Sequence, residues 1–484
     1  MKSATHAMAS IASAVVAVSL LTACAAFGPP RTPPKLAEPD HYSVAPSQPQ
    51  LTGDQGARQQ LVMGAAPVPE WWHVFGSREL DTLVSEALDR NQSLAAAKAN
   101  LRAAHEQVRG QIGDNLYPHV DVGFTGSRQN GLTVPGIQPE TAQYNVFAAE
   151  VQGGWTLDFF GASVLADRSV LGQVRAQAYE LEATRRAVAF NVVLAAINAA
   201  SLQAQLNAEK AYADVAEHRA TQLRERFELG SAARLEMLSA QDEAAEAQRV
   251  VPRLHRQLLA VQHAEAVLLG RTPDAAPAPL PLDALHLPDR LPVAVPSELL
   301  HQRPDILAAE ASVRASADAA GAATAAMYPS LTLSAAYGHG GFDWSTFASP
   351  AGAIWAAGAS LTQPLFHGGA LHARQRQYQA TYEAAVAQYR QTVLAAFQSI
   401  ADTLVALDDD ARELEQTERA ADALKQAQEE QEGRRASGSA PLYSVLGAQS
   451  QYENAYVDYI SARAARLTDS ATLLDGMGNP ITCR

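Results

Sequence analysis

The amino-acid sequence contains one succession of segments twice, and this duplication limits the possible folds more than any other feature. Three segments of the first half recur in the second half after about 208 to 211 residues. A period of a few tens of residues would indicate a solenoid, so this longer period indicates two large halves with a common architecture. The matching pairs are ANLRAAHEQVRGQIGDNLYP (99–118) with ASVRASADAAGAATAAMYP (311–329), WTLDFFG (155–161) with LTQPLFHG (361–368), and RFELGSAARLEMLSAQ (226–241) with RRASGSAPLYSVLGAQ (434–449).

Each half is predicted to contain two β-strands, at about 117–130 and 144–158 in the first half and at about 328–339 and 353–366 in the second. Apolar and polar residues alternate along them, as in VDVGFT at 120–125. Such alternation over about ten residues, with aromatic residues near the ends, is typical of transmembrane β-strands. A half-buried sheet of a soluble protein shows the same alternation.

Four strands are too few to close a barrel, and an open sheet edge in lipid would leave backbone groups without hydrogen bonds. If the strands lie in a membrane, several chains must therefore share one barrel. Two copies would supply eight strands around a filled interior, whereas three would supply twelve strands and leave a lumen. The small and polar residues that alternate with the apolar ones favour the lumen.

Helices are predicted on both sides of each strand pair. A helical segment precedes the strands at about 77–115 and again at about 297–326, and a Tyr-Pro dipeptide ends each segment because proline disfavours helix at the residue before it. A very long helix, a short turn and a return helix follow the strands. These helices are predicted at about 161–228 and 232–270 in the first half, and at about 369–436 and 441–475 in the second.

The long helices carry apolar residues, many of them alanine, at spacings of three and four. This pattern predicts coiled-coil seams in which alanine lets the helices approach closely. A helix over residues 161–228 would be about 100 Å long at 1.5 Å per residue. A soluble antiparallel bundle would explain the seams equally well, but it would not explain four β stretches inserted at matched places.

These elements define a domain organisation. The prolines of 272–296 exclude a continuous helix, so this segment is interpreted as an extended crossover between the halves. The predicted boundaries are a signal peptide (1–23), an extended Pro-rich N-terminal segment (24–70), a first repeat (71–271), a Pro-rich linker (272–296), a second repeat (297–476) and a C-terminal tail (477–484).

The N-terminus has the pattern of a lipoprotein signal peptide. Lys2 is positively charged, residues 11–21 form an apolar core too short to span a bilayer as a helix, and Leu-Thr-Ala-Cys at 21–24 resembles the bacterial lipobox. We therefore expect Cys24 to become the first residue of the mature chain and to carry covalent lipid. An ordinary cleavage site beside an unmodified cysteine is the alternative. Ala25 follows, rather than the Asp that tends to retain such lipoproteins in the inner membrane, so the outer membrane is the expected location.

Composition and motifs exclude several classes of function. The formal net charge of -14 disfavours binding to nucleic acid. No continuous run of 18 or more apolar residues follows Cys24, so a membrane span is expected to be β-strand or lipid rather than helix. The sequence has no P-loop, zinc-binding spacing or nucleophile elbow. We expect neither enzymatic activity nor a metal site, and no cofactor other than the lipid on Cys24.

Several motifs in order resemble the outer membrane factor family, the TolC-like channels, in its lipidated NodT-type branch. They are the lipobox, WWHVF (71–75) with the leucines that follow it, WTLDFFG (155–161), VPSELLHQRPDI (295–306), the Tyr-Pro before each strand pair, and QPLFHGG (363–369). The resemblance implies an α+β membrane protein: a homotrimeric, twelve-stranded transmembrane β-barrel, four strands per chain, continuous with a long periplasmic α-helical barrel.

The resemblance also implies a function. Such channels complete tripartite efflux pumps with a periplasmic adaptor and an inner-membrane transporter, commonly of the resistance-nodulation-division type. The expected function is passive conduction of drugs or other small exported molecules from the periplasm to the exterior of a Gram-negative bacterium. The alternatives are an exit duct for protein secretion and a periplasmic coiled-coil scaffold lipoprotein without a pore.

Two kinds of functional residue are predicted near the turns between the long helices. The turns themselves, with Gly230 and Ser231 in the first half and Gly438 and Ser439 in the second, are expected to be the tips that dock an adaptor. Because the family closes its channel near this place with carboxylates and salt bridges, the gate candidates are Glu429, Glu432, Arg434 and Arg435. A solvated charged helix end is the alternative interpretation of these four residues.

Overall fold

The structure is a computed structural model, and it describes residues 28–34, 42, 50–53, 58–132 and 141–478. The predictions for the signal peptide, Cys24 and the end of the C-terminal tail lie outside the described residues.

Both repeats contain the same order of elements: two helices, two long strands and a pair of longer helices. The strands are β1 (Gln50–Thr52), β2 (Arg58–Met63), β3 (His119–Leu132), β4 (Thr141–Leu157), β5 (Arg290–Val293), β6 (Ser330–Gly341) and β7 (Ala353–Thr362). The helices are α1 (Arg78–Arg90), α2 (Gln92–Leu116), α3 (Ala162–Glu228), α4 (Arg234–Leu268), α5 (Pro296–Gln302), α6 (Pro304–Ala325), α7 (Trp344–Phe347), α8 (Ala370–Ala436) and α9 (Leu442–Gly476).

The helical segment that begins each repeat is broken into two helices. In the first repeat, Asn91 has extended backbone and its side-chain oxygen accepts a hydrogen bond from the backbone N–H of Leu94 at 3.1 Å, so it ends α1 and caps α2. In the second repeat, Arg303 precedes Pro304, and the proline ring keeps the residue before it out of the helical conformation.

The described residues form two compact units. The strand unit contains residues 28–34, 100–177 and 308–389, and the helical unit contains residues between 42 and 99, 178–307 and 390–478.

A four-stranded antiparallel sheet in the order β3-β4-β6-β7 dominates the strand unit. The pairing of β4 with β6 joins the two repeats, with Trp155 opposite Leu333. The helical part of the unit packs closely, because a Cβ atom added at Gly172 would lie only 2.9 Å from the Cβ of Ala315.

The described N-terminal segment, residues 28–34, packs against helices of the strand unit. A guanidinium nitrogen of Arg31 lies 3.0 Å from a carboxylate oxygen of Asp318 on α6, whose side chain is only 2% exposed. The hydroxyl of Tyr382 on α8 donates to the carbonyl of Pro30 at 3.1 Å. The segment is thus held at two points.

Alanine seams form the core of the helical unit. Small side chains at these positions let α3 and α4 approach closely along their length. α3 is the one helix among the described residues with a stretch of 18 residues apolar enough to cross a membrane, and 56% of that stretch is buried inside the protein. The sequence analysis missed this stretch because it searched only for uninterrupted apolar runs. The seam residues are Ala213, Ala216, Ala220, Leu223, Ala240, Ala244 and Ala247.

The segments 24–70 and 272–296, interpreted as extended, both contribute strands to a three-stranded sheet in the order β1-β2-β5, which the sequence analysis did not predict. β2 and β5 pair in parallel, with Leu61 opposite Leu291, and Leu291 is fully buried. The strands are only three to six residues long and the parallel pair joins residues about 230 positions apart. Neither local pattern nor neighbouring turns could indicate such a sheet.

A charged side chain lies buried beside this sheet. Arg466 on α9 is fully buried, and its Nη2 donates to the amide oxygen of Gln59 at 2.5 Å. One helical turn away, burial and a hydrogen bond with Asp410 raise the pKa of Asp469 to about 7, while Arg466 opposes that rise. Asp469 is therefore protonated in the folded state at mildly acidic pH.

We predict that replacing Asp469 flattens the pH dependence of stability between about pH 4 and 7. Because the folded state holds this proton up to about pH 7 and the unfolded state loses it near the ordinary pKa of 3.8, the free energy of unfolding should fall as pH rises through this window. Denaturant unfolding of Asp469→Asn at pH 5 and pH 7.5 should show a smaller difference than the wild type. Asp402→Asn, which removes an exposed carboxylate of α8, should keep the wild-type difference; an unchanged difference in Asp469→Asn would contradict the assignment.

Candidate functional site

The large sheet has two chemically different faces. Successive residues of a strand point to opposite faces and directly paired residues share a face, so the register assigns every side chain. One face, here called the apolar face, is highly exposed in the single chain: Val122 is 80% exposed and Trp355 78%. It carries Val120, Val122, Phe124, Phe147, Ala149, Val151, Trp155, Leu157, Leu331, Leu333, Ala335, Tyr337, Trp355, Ala357, Ala359 and Leu361. One polar side chain, His339, also lies on this face, opposite Ala149, and its Nδ1 is 3.2 Å from the backbone carbonyl oxygen of Phe347.

The opposite face, here called the polar face, carries hydrogen-bonding groups and small residues. The amide of Gln152 donates to the carboxylate of Glu150 at 3.0 Å, and the hydroxyls of Thr156 and Thr332 lie 3.3 Å apart across β4 and β6. The polar residues of this face include His119, Asp121, Thr125, Ser127, Gln129, Tyr144, Glu150, Gln152, Thr156, Ser330, Thr332, Ser334, Ser360 and Thr362.

The apolar face has the height of a membrane interior. On β4 it extends from Phe147 to Leu157, about 33 Å along the strand at 3.3 Å per residue. A strand tilted by about 40° would then cover about 25 Å of membrane thickness. Beyond Phe147 the same face carries Asn145, paired with Arg128 of β3, so the apolar band ends there.

Aromatic rings border the apolar band at both ends. At one end Phe124 and Phe147 contact α7, with ring centroids 6.1 Å from Phe347 to Phe124 and 5.9 Å from Trp344 to Phe147. At the other end, just beyond β4 and before β6, Phe160 stacks on Tyr328 at 5.1 Å. Such paired aromatic girdles are found where β-barrels meet the two membrane interfaces.

The two outer edges of the sheet have no partner strand in the described chain. β3 lies at one edge and β7 at the other. Edges of this kind expose a row of backbone N–H and C=O groups, which must be paired before they can lie in lipid.

The predicted docking residues lie at two equivalent turns. Gly230 and Gly438 end α3 and α8 in the left-handed conformation, with φ of +71° and +77°. The backbone N–H of Ser231 donates to the carbonyl of Arg226, and that of Ser439 to the carbonyl of Arg434, both at 2.8 Å. The sequence thus folds both repeats into the same glycine-terminated helix end.

The two turns are neighbours in the helical unit. The guanidinium carbon of Arg226 lies 4.3 Å from the centroid of the Tyr443 ring, which joins the end of α3 to the start of α9. Leu229 is 82% exposed and Leu235 75% exposed beside the first turn. We call this exposed surface, formed by Leu229, Gly230, Leu235, Gly438 and Tyr443, the tip surface.

The structure places the gate candidates on the last turns of α8 without pairing them. Glu429, Glu432, Arg434 and Arg435 are all exposed. Glu432 accepts a hydrogen bond from the amide of Gln428 at 2.9 Å, and within the described part of this chain no ion pair joins the four residues to one another.

Sequence reasoning missed Glu243, which connects three helices. Its carboxylate accepts hydrogen bonds from Arg219 of α3 at 2.5 Å and from Ser450 of α9 at 2.8 Å. Tyr212 lies 3.3 Å away. Glu243 therefore fastens the helix pair of the first repeat to α9 of the second. Its only sequence signal is one acidic residue in a charged stretch of α4, which is too common to single it out.

A sheet with one apolar face and one polar face, and long helices that end in an exposed tip surface, are features of outer membrane channels. Known proteins agree with this class. The model of the outer membrane efflux protein family matches residues 83–271 and 295–479. The chain therefore belongs to the outer membrane efflux protein family, and the two matched segments coincide with the two repeats.

Relatives and solved structures extend the match over nearly the whole chain. The pyoverdine export outer membrane protein OpmQ of Pseudomonas aeruginosa is 30% identical over 472 residues, covering 95% of this chain and 96% of OpmQ. The probable outer membrane lipoprotein SilC of Salmonella typhimurium is 24% identical over 446 residues, covering 89% of this chain and 90% of SilC. The solved structure of the outer-membrane channel OprN has a TM-score of 0.77 at 24% identity, covering 93% of this chain and 99% of OprN.

These findings confirm the predicted family, function and location. The protein is an outer membrane channel of a tripartite efflux pump in a Gram-negative bacterium, and its family consists of channels rather than enzymes. Channels of this kind work with an adaptor and an inner-membrane transporter.

Proposed function

We propose that three copies of the chain form one twelve-stranded barrel that passively conducts drugs or other small exported molecules from periplasmic pump components to the exterior. The observation that carries the proposal is the sheet itself: one face is predominantly apolar over the thickness of a membrane, the other is polar, and within the described residues neither outer edge has a partner strand. Twelve strands enclose a lumen, whereas eight would be filled by side chains. The polar face then lines the lumen and the apolar face contacts lipid.

Cys24 supplies a second attachment to the outer membrane. The lipobox-like sequence before it supports acylation, and so does the similarity to SilC, which is described as a probable outer membrane lipoprotein. The sulfur and the new amino group of Cys24 would carry acyl chains, and several chains together anchor a protein stably where one is marginal.

The tip surface is the docking site for a periplasmic adaptor that leads to an inner-membrane transporter of the resistance-nodulation-division type. Gly230, Ser231, Gly438 and Ser439 form its turns, and the leucines at 229 and 235 add an exposed apolar contact. Glu429, Glu432, Arg434 and Arg435 act as the gate, because carboxylates brought together around a threefold axis attract cations and are held by neighbouring cationic side chains.

For the anchor, we predict that Cys24→Ser abolishes incorporation of radiolabelled palmitate while the protein remains in the outer membrane fraction. The barrel is an independent attachment, so losing the lipid should not release the protein. Cys483→Ser is the matched control and should label like the wild type. Wild-type labelling of Cys24→Ser would contradict the assignment.

For docking, we predict that valine at Gly230 or Gly438 abolishes efflux without loss of the trimer. Both glycines have positive φ, a conformation that costs a residue with a Cβ about 1–2 kcal/mol, so valine should reshape the tip surface. Drug susceptibility and crosslinking to the adaptor measure the effect, and native mass spectrometry checks the trimer. Gly113→Val on α2, where an added Cβ meets open space and φ is ordinary, should retain efflux. Normal efflux in both tip variants would remove the docking assignment.

For the channel and its gate, we predict that Glu432→Ala or Arg434→Ala raises single-channel conductance in planar bilayers severalfold and sensitises cells to large antibiotics. Removing either charge should loosen closure of the aperture. Glu246→Ala, which removes an exposed carboxylate paired with Arg249 on α4, should behave like the wild type. Unchanged conductance in both variants would remove the gate assignment alone. If the wild type and all of these variants are intact oligomers that do not conduct, the proposed channel is overturned.

A further inference from the structure

We propose that a groove between α8 and α9 binds small organic cations that have an aromatic or apolar body. The groove has a volume of about 770 Å³, within the range of sites that hold drug-sized ligands. It lies inside the helical unit, so the inference does not depend on the proposed barrel. The inference goes beyond the proposed function, because it assigns a binding site and a class of ligand to the long helices.

Three tyrosine rings of α9 line the groove. Tyr452, Tyr456 and Tyr459 follow one another at spacings of four and three residues, which places them on one face of the helix. Their rings lie in a row, with centroids 5.7 Å and 5.9 Å apart and planes inclined by 25° and 27°. All three residues are half-buried. The row is therefore a recessed aromatic surface that the body of a ligand can contact.

Charged side chains of α8 line the other side of the groove. They are spaced so that they share one face of that helix. Ala421 lies among them and is buried, and its small side chain leaves room between the two helices. The charged residues on this side are Glu415, Glu418, Arg419, Asp422 and Lys425.

Both arginines of the groove are already neutralised by carboxylates. The guanidinium of Arg463 on α9 is buried and lies 2.5 Å from the carboxylate of Asp283 in the linker. Arg419 on α8 pairs with Glu415, one helical turn away. The two positive charges are thus balanced within the groove, and they do little to repel a cationic ligand.

The remaining charges favour a cation. Glu418 and Asp422 supply two carboxylates and Lys425 supplies one ammonium group, so the lining has an excess of negative charge. The tyrosine hydroxyls respond to the same field: burial raises the pKa of Tyr452, and the carboxylates of Glu453 and Asp422 raise it further. A cation beside these rings is attracted both by the carboxylates and by the faces of the π systems.

A helix of a partner protein is the other class of ligand that a groove between two helices would suit. Tyrosine and arginine are frequent at the centres of protein interfaces, but Asp, Glu and Lys are depleted there. Five of the eleven residues that line this groove are Asp, Glu or Lys. A small cation is therefore the better match for the groove.

Titration of the purified oligomer with ethidium, a planar aromatic cation, tests the site. We expect saturable binding, followed by ethidium fluorescence, and an affinity that falls as salt is raised because the carboxylates are then screened. Anilinonaphthalene sulfonate, an aromatic anion, should not displace ethidium from the site.

Variants of one ring and one carboxylate locate the bound ligand. Tyr456→Ala removes the central ring and should weaken ethidium binding about tenfold, whereas Tyr456→Phe keeps a ring and should bind nearly as well as the wild type. Asp422→Asn should weaken binding severalfold, because it removes a negative charge. Tyr378→Ala and Asp402→Asn change a tyrosine and a carboxylate of α8 outside the groove, so these matched controls should bind like the wild type. If Tyr456→Ala does not assemble, the comparison of Asp422→Asn with Asp402→Asn decides alone.

Three results would overturn this inference and leave the proposed channel intact. The first is a conducting wild-type oligomer without saturable ethidium binding, and the second is equal binding by the wild type, Tyr456→Ala and Asp422→Asn. The third is loss of crosslinking to the adaptor in Tyr456→Ala with unchanged ethidium binding, which would show that the groove holds a protein helix. An oligomer that binds ethidium in the groove but does not conduct would overturn the proposed channel alone.

Discussion

Backbone hydrogen bonding at the outer edges of β3 and β7 is the constraint on which the rest of this structure depends. Lipid offers no donors or acceptors, so each unpaired edge group would cost several kcal/mol in a membrane. In water the same edges would be templates for uncontrolled association. In the proposed barrel a single chain is therefore incomplete by itself, and insertion and assembly would be coupled steps.

The helical unit meets a different requirement, since its paired helices must stay side by side over many turns with only small side chains between them. Alanine seams solve the geometry by letting backbones approach closely, but each alanine buries little apolar area. Each helical turn therefore contributes only a small part of the free energy of helix association. Under these conditions a few polar contacts decide which helices are neighbours, and Glu243, bound to Arg219 and Ser450, is such a contact.

How much could be predicted from the sequence depended on whether the signal was local. The long strands and helices have periods of two and of three to four residues, which neighbouring side chains alone determine, and the structure has them within a few residues of the predicted positions. The sheet of β1, β2 and β5 could not be found because its strands are short and pair across distant parts of the chain. The break at Asn91 was missed although it had a signal, an asparagine cap.

The candidate site divides in the same way. Glycines at 230 and 438 were recognisable because a repeated Gly-Ser-Ala follows each long helix, and both adopt the left-handed conformation that glycine allows. Within the described part of a single chain, no ion pair joins the gate candidates to one another; in the proposed trimer their charged partners would belong to other copies. Glu243 could not be recognised from the sequence because its contacts join three helices, which the pattern of one helix does not show.

The ion pair between Arg31 and Asp318 limits how far a lipid on Cys24 could lie from the strand unit. Six residues lie between Cys24 and Arg31, and the seven Cα-to-Cα steps that join them reach at most about 25 Å in an extended chain. The strand unit holds Arg31 through a nearly buried carboxylate, so the acyl chains proposed for Cys24 would be confined to the region within that reach of Arg31. The lipid anchor would then keep the strand unit next to the membrane surface, even before any strand has entered the membrane.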